Sequence, residues 1–251
     1  VAHYNAVARF FRAFFYFEKV KAFGDVPWVE VELGSEDEQL YAPRDSRELV
    51  MQKMIEDIDY AIENLPASVS TFRVNKWAAL ALKAEFCLYE GTFRKYHEGH
   101  VTLSGDFALP ADAQPYTYYL DLAAKAAKEE MDGGLYSLAS DYRMLFASDD
   151  ADPKEYILAI KNDRSLQIYN SSTAYATMPT QGCPGLTKKF VDSYLMKDGS
   201  RFTDKEGWAT MQFKEQMADR DPRLAASTVT PGYMRLGGTM VLAPDLACSS
   251  T

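Results

Sequence analysis

The chain has few cysteines and few histidines, which removes the usual means of building a disulfide framework or a metal centre. Its three cysteines are Cys87, Cys183 and Cys248. They lie far apart and form no C-x-x-C motif, so neither a disulfide framework nor a zinc site is indicated. His97 and His100 have a spacing that could share a metal on a helix, but Gly99 disfavours a helix there and no further ligand pattern completes a site. We predict no metal and no cofactor.

Long apolar runs and an excess of positive charge are also missing. No segment approaches the roughly 18 consecutive apolar residues of a membrane-spanning helix. With 27 Lys and Arg against 36 Asp and Glu, the net charge is −9, which argues against a nucleic-acid-binding surface. The chain begins at Val1 without a signal peptide or lipidation motif, so we expect any targeting segment to lie outside this sequence.

The first part of the chain, residues 1–150, is predicted to be helical. Its first helix carries six aromatic residues before Gly24 and Pro27 end it, namely Phe10, Phe11, Phe14, Phe15, Tyr16 and Phe17. Phe10, Phe14 and Phe17 share one face, and Phe11 and Phe15 share the next. We therefore predict that this helix is buried on most sides between two neighbouring helices.

Three more helices are predicted before residue 133. Asp45 and Glu48 form a capping-box start for the second, with a buried stripe of Leu49, Met54, Ile58, Ala61 and Leu65. The third begins near Asn75, and Tyr89-Glu90-Gly91 could weaken or end it; the fourth covers 116–132. These helices should form stacked hairpins around one core, which contains Phe10, Phe14, Phe17, Ile58, Trp77, Leu80 and Leu120.

The second part, residues 151–251, is predicted to be an irregular lobe packed on the helices. Residues 155–160 have the pattern of a short strand, and the residues that follow are rich in Ser, Thr, Tyr, Gly and Pro with little periodicity. Two short helices are expected here, one over 186–196 with Thr187 near its start and one over 208–218.

Several segments resemble the SusD/RagB-like family in the same order. Besides the aromatic helix that ends in Phe-Gly-Asp-Val-Pro, they are DIDYAIENLP (57–66), RVNKWAALALKAEFCLYEGTFRKYH (73–97), EYILAIKND (155–163), LTKKFVDSYLMKDG (186–199) and RDPRLAASTVTPG (220–232). Together they cover most of the chain. Because family members are considerably longer, we expect this sequence to be a fragment that is truncated at both ends.

The resemblance implies a predominantly α-helical fold of tetratricopeptide-like hairpins with a loop-rich lobe that contains short strands. It also implies a non-catalytic protein that binds a glycan or related nutrient at the cell surface. A lipid anchor in the outer membrane and a partner transporter of the SusC type, which is TonB-dependent, are implied as well.

Aromatic residues outside the helical stripes are the best candidates for contacts with a sugar. A sugar ring has an apolar face and a rim of hydroxyls, so a site needs a flat aromatic platform beside hydrogen-bonding groups. Tyr169, Tyr175 and Trp208 are the predicted ligand-binding rings, with Gln181 and Arg164 as polar partners. Tyr233 is a further ring of this kind. The competing interpretation is that these rings pack the irregular lobe.

Two other classes of function remain open from the sequence. A glycoside-active enzyme would use two carboxylates, and Asp149, Asp150 and Asp152 cluster in a loop. Such a run before Pro153 is more typical of a solvated turn, and it departs from the D-x-D-x-D-G pattern of a calcium loop. The other class is a helical-repeat scaffold that binds a protein or peptide on its concave face.

Overall fold

The structure is a computed structural model of the chain. It describes residues 1–68, 70–97, 101–102, 105–106, 109–148, 150–168, 172, 185–235, 238–239, 241–242 and 248–249. Contacts divide the chain into two compact units, of which unit 1 comprises 1–139 with 149–161 and unit 2 comprises 140–148 with 162–251. The predicted domains, a helical part over 1–150 and a lobe over 151–251, stay a prediction.

Unit 1 is built from four long helices: α1 (Ala2–Phe23), α2 (Arg47–Asn64), α3 (Lys76–His97) and α4 (Tyr116–Asp132). Helix α1 packs on α2, α2 on α3, and α3 most extensively on α4. Asn75 Oδ1 accepts a hydrogen bond from Ala78 N at 2.9 Å and so caps α3 near the predicted start. Ser46 caps α2, whereas the predicted cap residue, Asp45, accepts a hydrogen bond from Trp28 N at 2.7 Å.

Helix α1 ends where predicted, but only one of its sides is buried. Gly24 follows the helix with a φ of 71°. The buried residues are Ala6, Phe10, Ala13, Tyr16, Phe17 and Val20. Phe14, predicted to be enclosed, is 45% exposed, and Phe11 and Phe15 are exposed as well. The prediction of burial on most sides was wrong because α1 packs mainly on α2 and has only a small contact with α3, where the Phe17 ring lies 5.6 Å from the ring of Tyr89.

Helix α3 continues past Gly91 to His97, so Gly91 neither ends nor interrupts it. A Cβ atom at position 91 would lie 2.7 Å from Leu120 Cδ2 and 3.1 Å from Tyr116 O, both of α4. The glycine is therefore required by the close approach of two helices. Leu120 is half-buried at this contact.

Two buried clusters replace the single predicted core. The larger one contains Phe10, Phe17 and Ile58, whereas Trp77 and Leu80 form a smaller one with Ala126 of α4. On α2, the predicted stripe is buried from Met54 onward, but Leu49 is 40% exposed. Val50 and Met51 take its place in the core because they lie four and three residues before Met54 and so share its face, whereas Leu49 lies five residues before it.

A buried network of charged side chains joins α2, α3 and α4. The Glu90 carboxylate accepts hydrogen bonds from Arg47 Nε at 2.8 Å and from Arg94 Nε at 2.7 Å. Arg94 Nη1 lies 2.6 Å from Glu48 Oε2, and Arg94 Nη2 donates to Tyr119 OH at 3.2 Å. Burial lowers the pKa of Arg94, but the Glu90 and Glu48 carboxylates outweigh this effect and raise its pKa above the ordinary value. All five side chains are nearly inaccessible to solvent.

Unit 2 consists of short elements. In the described residues, its α-helices are α5 (Tyr142–Ala147), α6 (Lys188–Ser193), α7 (Phe213–Met217) and α8 (Pro222–Ser227). Thr187 caps α6 as predicted, but the helix ends at Ser193 rather than near 196 because Leu195 and Met196 form bridges with Arg201 and Arg220. The helix predicted over 208–218 is a 3-10 turn, Trp208–Thr210, followed by α7.

Short antiparallel strand pairs also occur in the chain. Val101–Thr102 pairs with Gly105–Asp106, Met234–Arg235 with Gly238–Thr239, and Val241–Leu242 with Cys248–Ser249. Residues 155–160 form no strand, contrary to the prediction. Glu155 N and Tyr156 N both donate to Asp152 O within a turn, and the single hydrogen bond from Ala159 N to Thr71 O at 2.7 Å is not continued into a ladder. In the described part of the chain, no helix combines the length and apolar character that crossing a membrane requires.

The burial pattern of α1 predicts different costs for two neighbouring phenylalanines. Phe10→Ala should lower the free energy of unfolding by about 3–5 kcal/mol, because Phe10 is enclosed in the core. Phe14→Ala should cost only about 1–2 kcal/mol, because nearly half of Phe14 is already exposed. Chemical denaturation of both variants tests this. Equal costs would contradict the orientation of α1.

The buried network predicts strong sensitivity to the loss of one charge. Glu90→Gln should cost about 3–5 kcal/mol because it leaves Arg47 and Arg94 buried without their shared carboxylate. Glu56→Gln is the matched control: its exposed carboxylate pairs with Lys53, and the change should cost less than about 1 kcal/mol. Similar unfolding midpoints for both variants would show that the network contributes little.

Candidate functional site

The structure describes only part of the predicted ligand site. Tyr169, Tyr175 and Gln181 lie outside the described residues. Arg164 begins a 3-10 turn, Arg164–Leu166, but its side chain is not described. The assignment of these four residues to the site stays a prediction.

Trp208 belongs to unit 2 and is half-buried. Its ring meets the ring of Phe202 edge-on at a centroid distance of 6.1 Å, and Phe202 is only 1% exposed. Lys188 Nζ lies 5.6 Å from the centre of the indole. Trp208 thus has a packing contact and an accessible part, so its geometry is compatible with both of the roles considered from the sequence.

A cleft of about 530 Å³ lies within unit 2, a volume in the usual range for small-molecule sites. It is lined by Tyr142, Phe190, Ser193, Tyr194, Leu195, Arg223 and Ser227. These residues come from α5, from α6 with the two residues after it, and from α8. Phe190 and Tyr194 meet edge-on, with centroids 5.6 Å apart and planes at 84°. Sequence reasoning missed this cleft, and the i, i+4 spacing of its two rings was the available signal.

The polar side of this cleft is an ion pair between Arg223 and Asp221. Arg223 Nε donates to Asp221 Oδ1 at 2.9 Å, and Arg223 Nη2 donates to Asp221 Oδ2 at 2.5 Å. These hydrogen bonds lower the pKa of Asp221 to about 2. The two-point contact fixes the plane of the guanidinium while most of the Arg223 side chain stays exposed.

The buried side chain of Arg220 connects the segments that form the cleft. Its guanidinium donates to Val191 O at 2.8 Å, to Tyr194 O at 2.9 Å and to Gln216 O at 2.8 Å. It also lies 4.0 Å from the centre of the Phe202 ring, and the residue is 4% exposed. One buried side chain therefore joins the end of α6 to α7 and to the segment that leads into α8.

Unit 1 has a larger concave surface, a groove of about 960 Å³. It contains Phe11, Phe14 and Phe72, each 40–50% exposed, and Ile157. Exposed apolar grooves of this kind occur where another polypeptide segment or a ligand binds.

The described acidic loop residues have local structural roles. Asp150 Oδ1 accepts a hydrogen bond from Ala151 N at 3.1 Å, and Asp152 Oδ1 accepts one from Lys154 N at 2.9 Å. Such contacts are typical of turns. Within the described ranges, no group of three or more His, Cys, Asp or Glu side chains could hold a metal ion.

Comparison with known families assigns both parts of the chain to one group. A SusD-like model described as "Starch-binding associating with outer membrane" matches residues 1–88, and the model of the SusD family that includes RagB matches residues 154–243. Together the two models match more than half of the sequence. The chain belongs to the SusD/RagB-like family. No curated protein matches it.

Solved SusD-like structures share the fold. A SusD-like protein of Bacteroides fragilis has a TM-score of 0.65 at 24% identity, covering 92% of this chain and 44% of that one. A SusD-like carbohydrate binding protein of the same species has a TM-score of 0.67 at 22% identity, with coverages of 95% and 42%. A third, solved with a xylogluco-oligosaccharide, has a TM-score of 0.56 at 21% identity, with coverages of 78% and 39%.

These likenesses confirm the predicted fold class, a predominantly helical SusD-like fold with tetratricopeptide-like hairpins. The chain spans less than half the length of the solved structures it matches.

Trp208 allows a direct test of its two roles. We expect Trp208→Ala to lower the free energy of unfolding by about 1–3 kcal/mol, because it removes the contact with Phe202. If Trp208 also stacks on a sugar, the same variant loses glycan binding, and Trp208→Phe restores most of both properties. Unfolding and titration calorimetry measure the two effects separately. Unchanged binding by a folded Trp208→Ala variant would remove this residue from the ligand site.

Proposed function

We propose that this SusD/RagB-like protein binds a glycan or related nutrient at the cell surface and delivers it to a TonB-dependent outer-membrane transporter of the SusC type. In this proposal the protein is non-catalytic and is held at the outer membrane by a lipid anchor outside this sequence. Family membership over both parts of the chain is the observation that carries the proposal.

Two further observations support glycan binding. The name of one matching structure describes a carbohydrate binding protein, and another matching structure was solved with a xylogluco-oligosaccharide. Unit 2 of this chain offers exposed aromatic rings next to hydroxyl groups and a fixed guanidinium, which is the combination that a sugar ring needs.

Tyr169, Tyr175, Trp208, Gln181 and Arg164 remain the ligand residues proposed from the sequence. In the same proposal, residues 151–251 form the lobe that carries the site. Loops on a rigid scaffold commonly carry binding residues, and the two of these five that the structure describes, Arg164 and Trp208, belong to 3-10 turns outside the long helices.

A glycan array probed with the 251-residue chain is the experiment that tests this function. We expect retention of one class of oligosaccharide, with a dissociation constant that titration calorimetry then measures. Tyr41→Ala is a suitable control, because Tyr41 is 86% exposed in unit 1 and its loss should leave binding unchanged.

The same preparation separates the proposal from its alternatives. A binder leaves each retained oligosaccharide intact in mass spectrometry, whereas a glycoside-active enzyme shortens it. Shortening that disappears in Asp150→Asn would establish the enzyme. A folded chain that retains no glycan but captures a defined protein partner would instead favour the helical-repeat scaffold.

A further inference from the structure

We propose that the cleft of unit 2 lined by Tyr142, Phe190, Tyr194 and Arg223 is a binding subsite for a neutral sugar residue. The inference rests on the proposed glycan-binding function and adds to it a location and a ligand class. It concerns residues other than the five proposed from the sequence.

The apolar part of the cleft suits the face of a sugar ring. Phe190 is 50% exposed and Tyr142 is 58% exposed, so both rings have surface available for stacking. Phe190 and Tyr194 stand nearly perpendicular to each other, which makes a corner that a ring can occupy with one face and one edge. Stacking of this kind desolvates apolar C–H groups, while the hydroxyl rim stays near polar partners.

The charge of the cleft favours a neutral ligand. Arg223 is the cationic residue among those lining it, and its charge is balanced by Asp221 through two hydrogen bonds. The carboxylate of an acidic sugar would have to compete with Asp221 for the Arg223 guanidinium. It would also be repelled by the Asp221 carboxylate next to it. A neutral sugar meets no such repulsion, because its hydroxyl groups can both donate to the carboxylate and accept from the guanidinium.

Polar groups on the remaining wall add to this recognition. Ser227 contributes a hydroxyl from α8, and Ser193 of α6, whose hydroxyl donates to Phe190 O at 2.6 Å, contributes an acceptor. Because Arg220 ties α6 to the segment before α8, and Asp221 N donates to Leu195 O at 2.8 Å, these groups keep a fixed spacing. A preformed arrangement reduces the ordering cost of binding.

Titration calorimetry with the 251-residue chain tests the subsite. The probes are a xyloglucan heptasaccharide, maltohexaose and cellohexaose as neutral ligands, and a galacturonic acid trimer as the acidic one. We expect binding of at least one neutral probe and a loss of about tenfold or more in affinity for it in Tyr142→Ala and in Phe190→Ala. Tyr41→Ala should bind as the parent does.

The outcomes separate this inference from the proposed function. Binding of a neutral probe that Tyr142→Ala, Phe190→Ala and Arg223→Ala all leave unchanged, with circular dichroism showing folded variants, would overturn the subsite and keep glycan binding. Preference for the galacturonic acid trimer over every neutral probe would do the same. A folded chain that retains no glycan on the array would overturn the proposed function and this inference together.

Discussion

The Glu90 carboxylate is the group on which the helical unit depends. It accepts hydrogen bonds from Arg47 of α2 and Arg94 of α3, and Arg94 extends the network to Glu48 and to Tyr119 of α4. Taking these charges out of water is costly, so the arrangement persists only while every member has its partners. A shift of one helix along another would break these short contacts and leave a buried charge unpaired, so the network disfavours other registers of α2, α3 and α4.

The elements of unit 2 are also held in fixed positions, but with far less buried surface. Its α-helices in the described residues have five or six residues each, too few to bury a wide apolar face. Arg220 replaces that face by satisfying three backbone carbonyls from two helices and their flanks while it covers Phe202. Among the described aromatic side chains of this unit, those of Tyr142, Phe190, Tyr194 and Trp208 stay partly exposed, which is the condition that a ligand-binding surface needs.

The long helices could be predicted from the sequence, whereas the faces that they bury and the cleft could not. Periodicity located α4 with its observed bounds, and Asn75 marked the start of α3. For α1, spacing shows which rings share a face but not which face meets α2, because Phe10 and Phe11 begin equally apolar stripes. The cleft joins three short helices far apart in sequence, and segments of six residues carry no reliable period.

The contact between Gly91 and Leu120 has a consequence for how this protein can change over generations. A Cβ at position 91 would lie 2.7 Å from Leu120 Cδ2 and 3.1 Å from Tyr116 O, so a larger residue there requires both the Leu120 side chain and the backbone of α4 to move. A smaller residue at 120 removes the first conflict, and a wider separation of α3 and α4 removes the second. We therefore expect positions 91 and 120 to vary together with the spacing of these two helices among relatives.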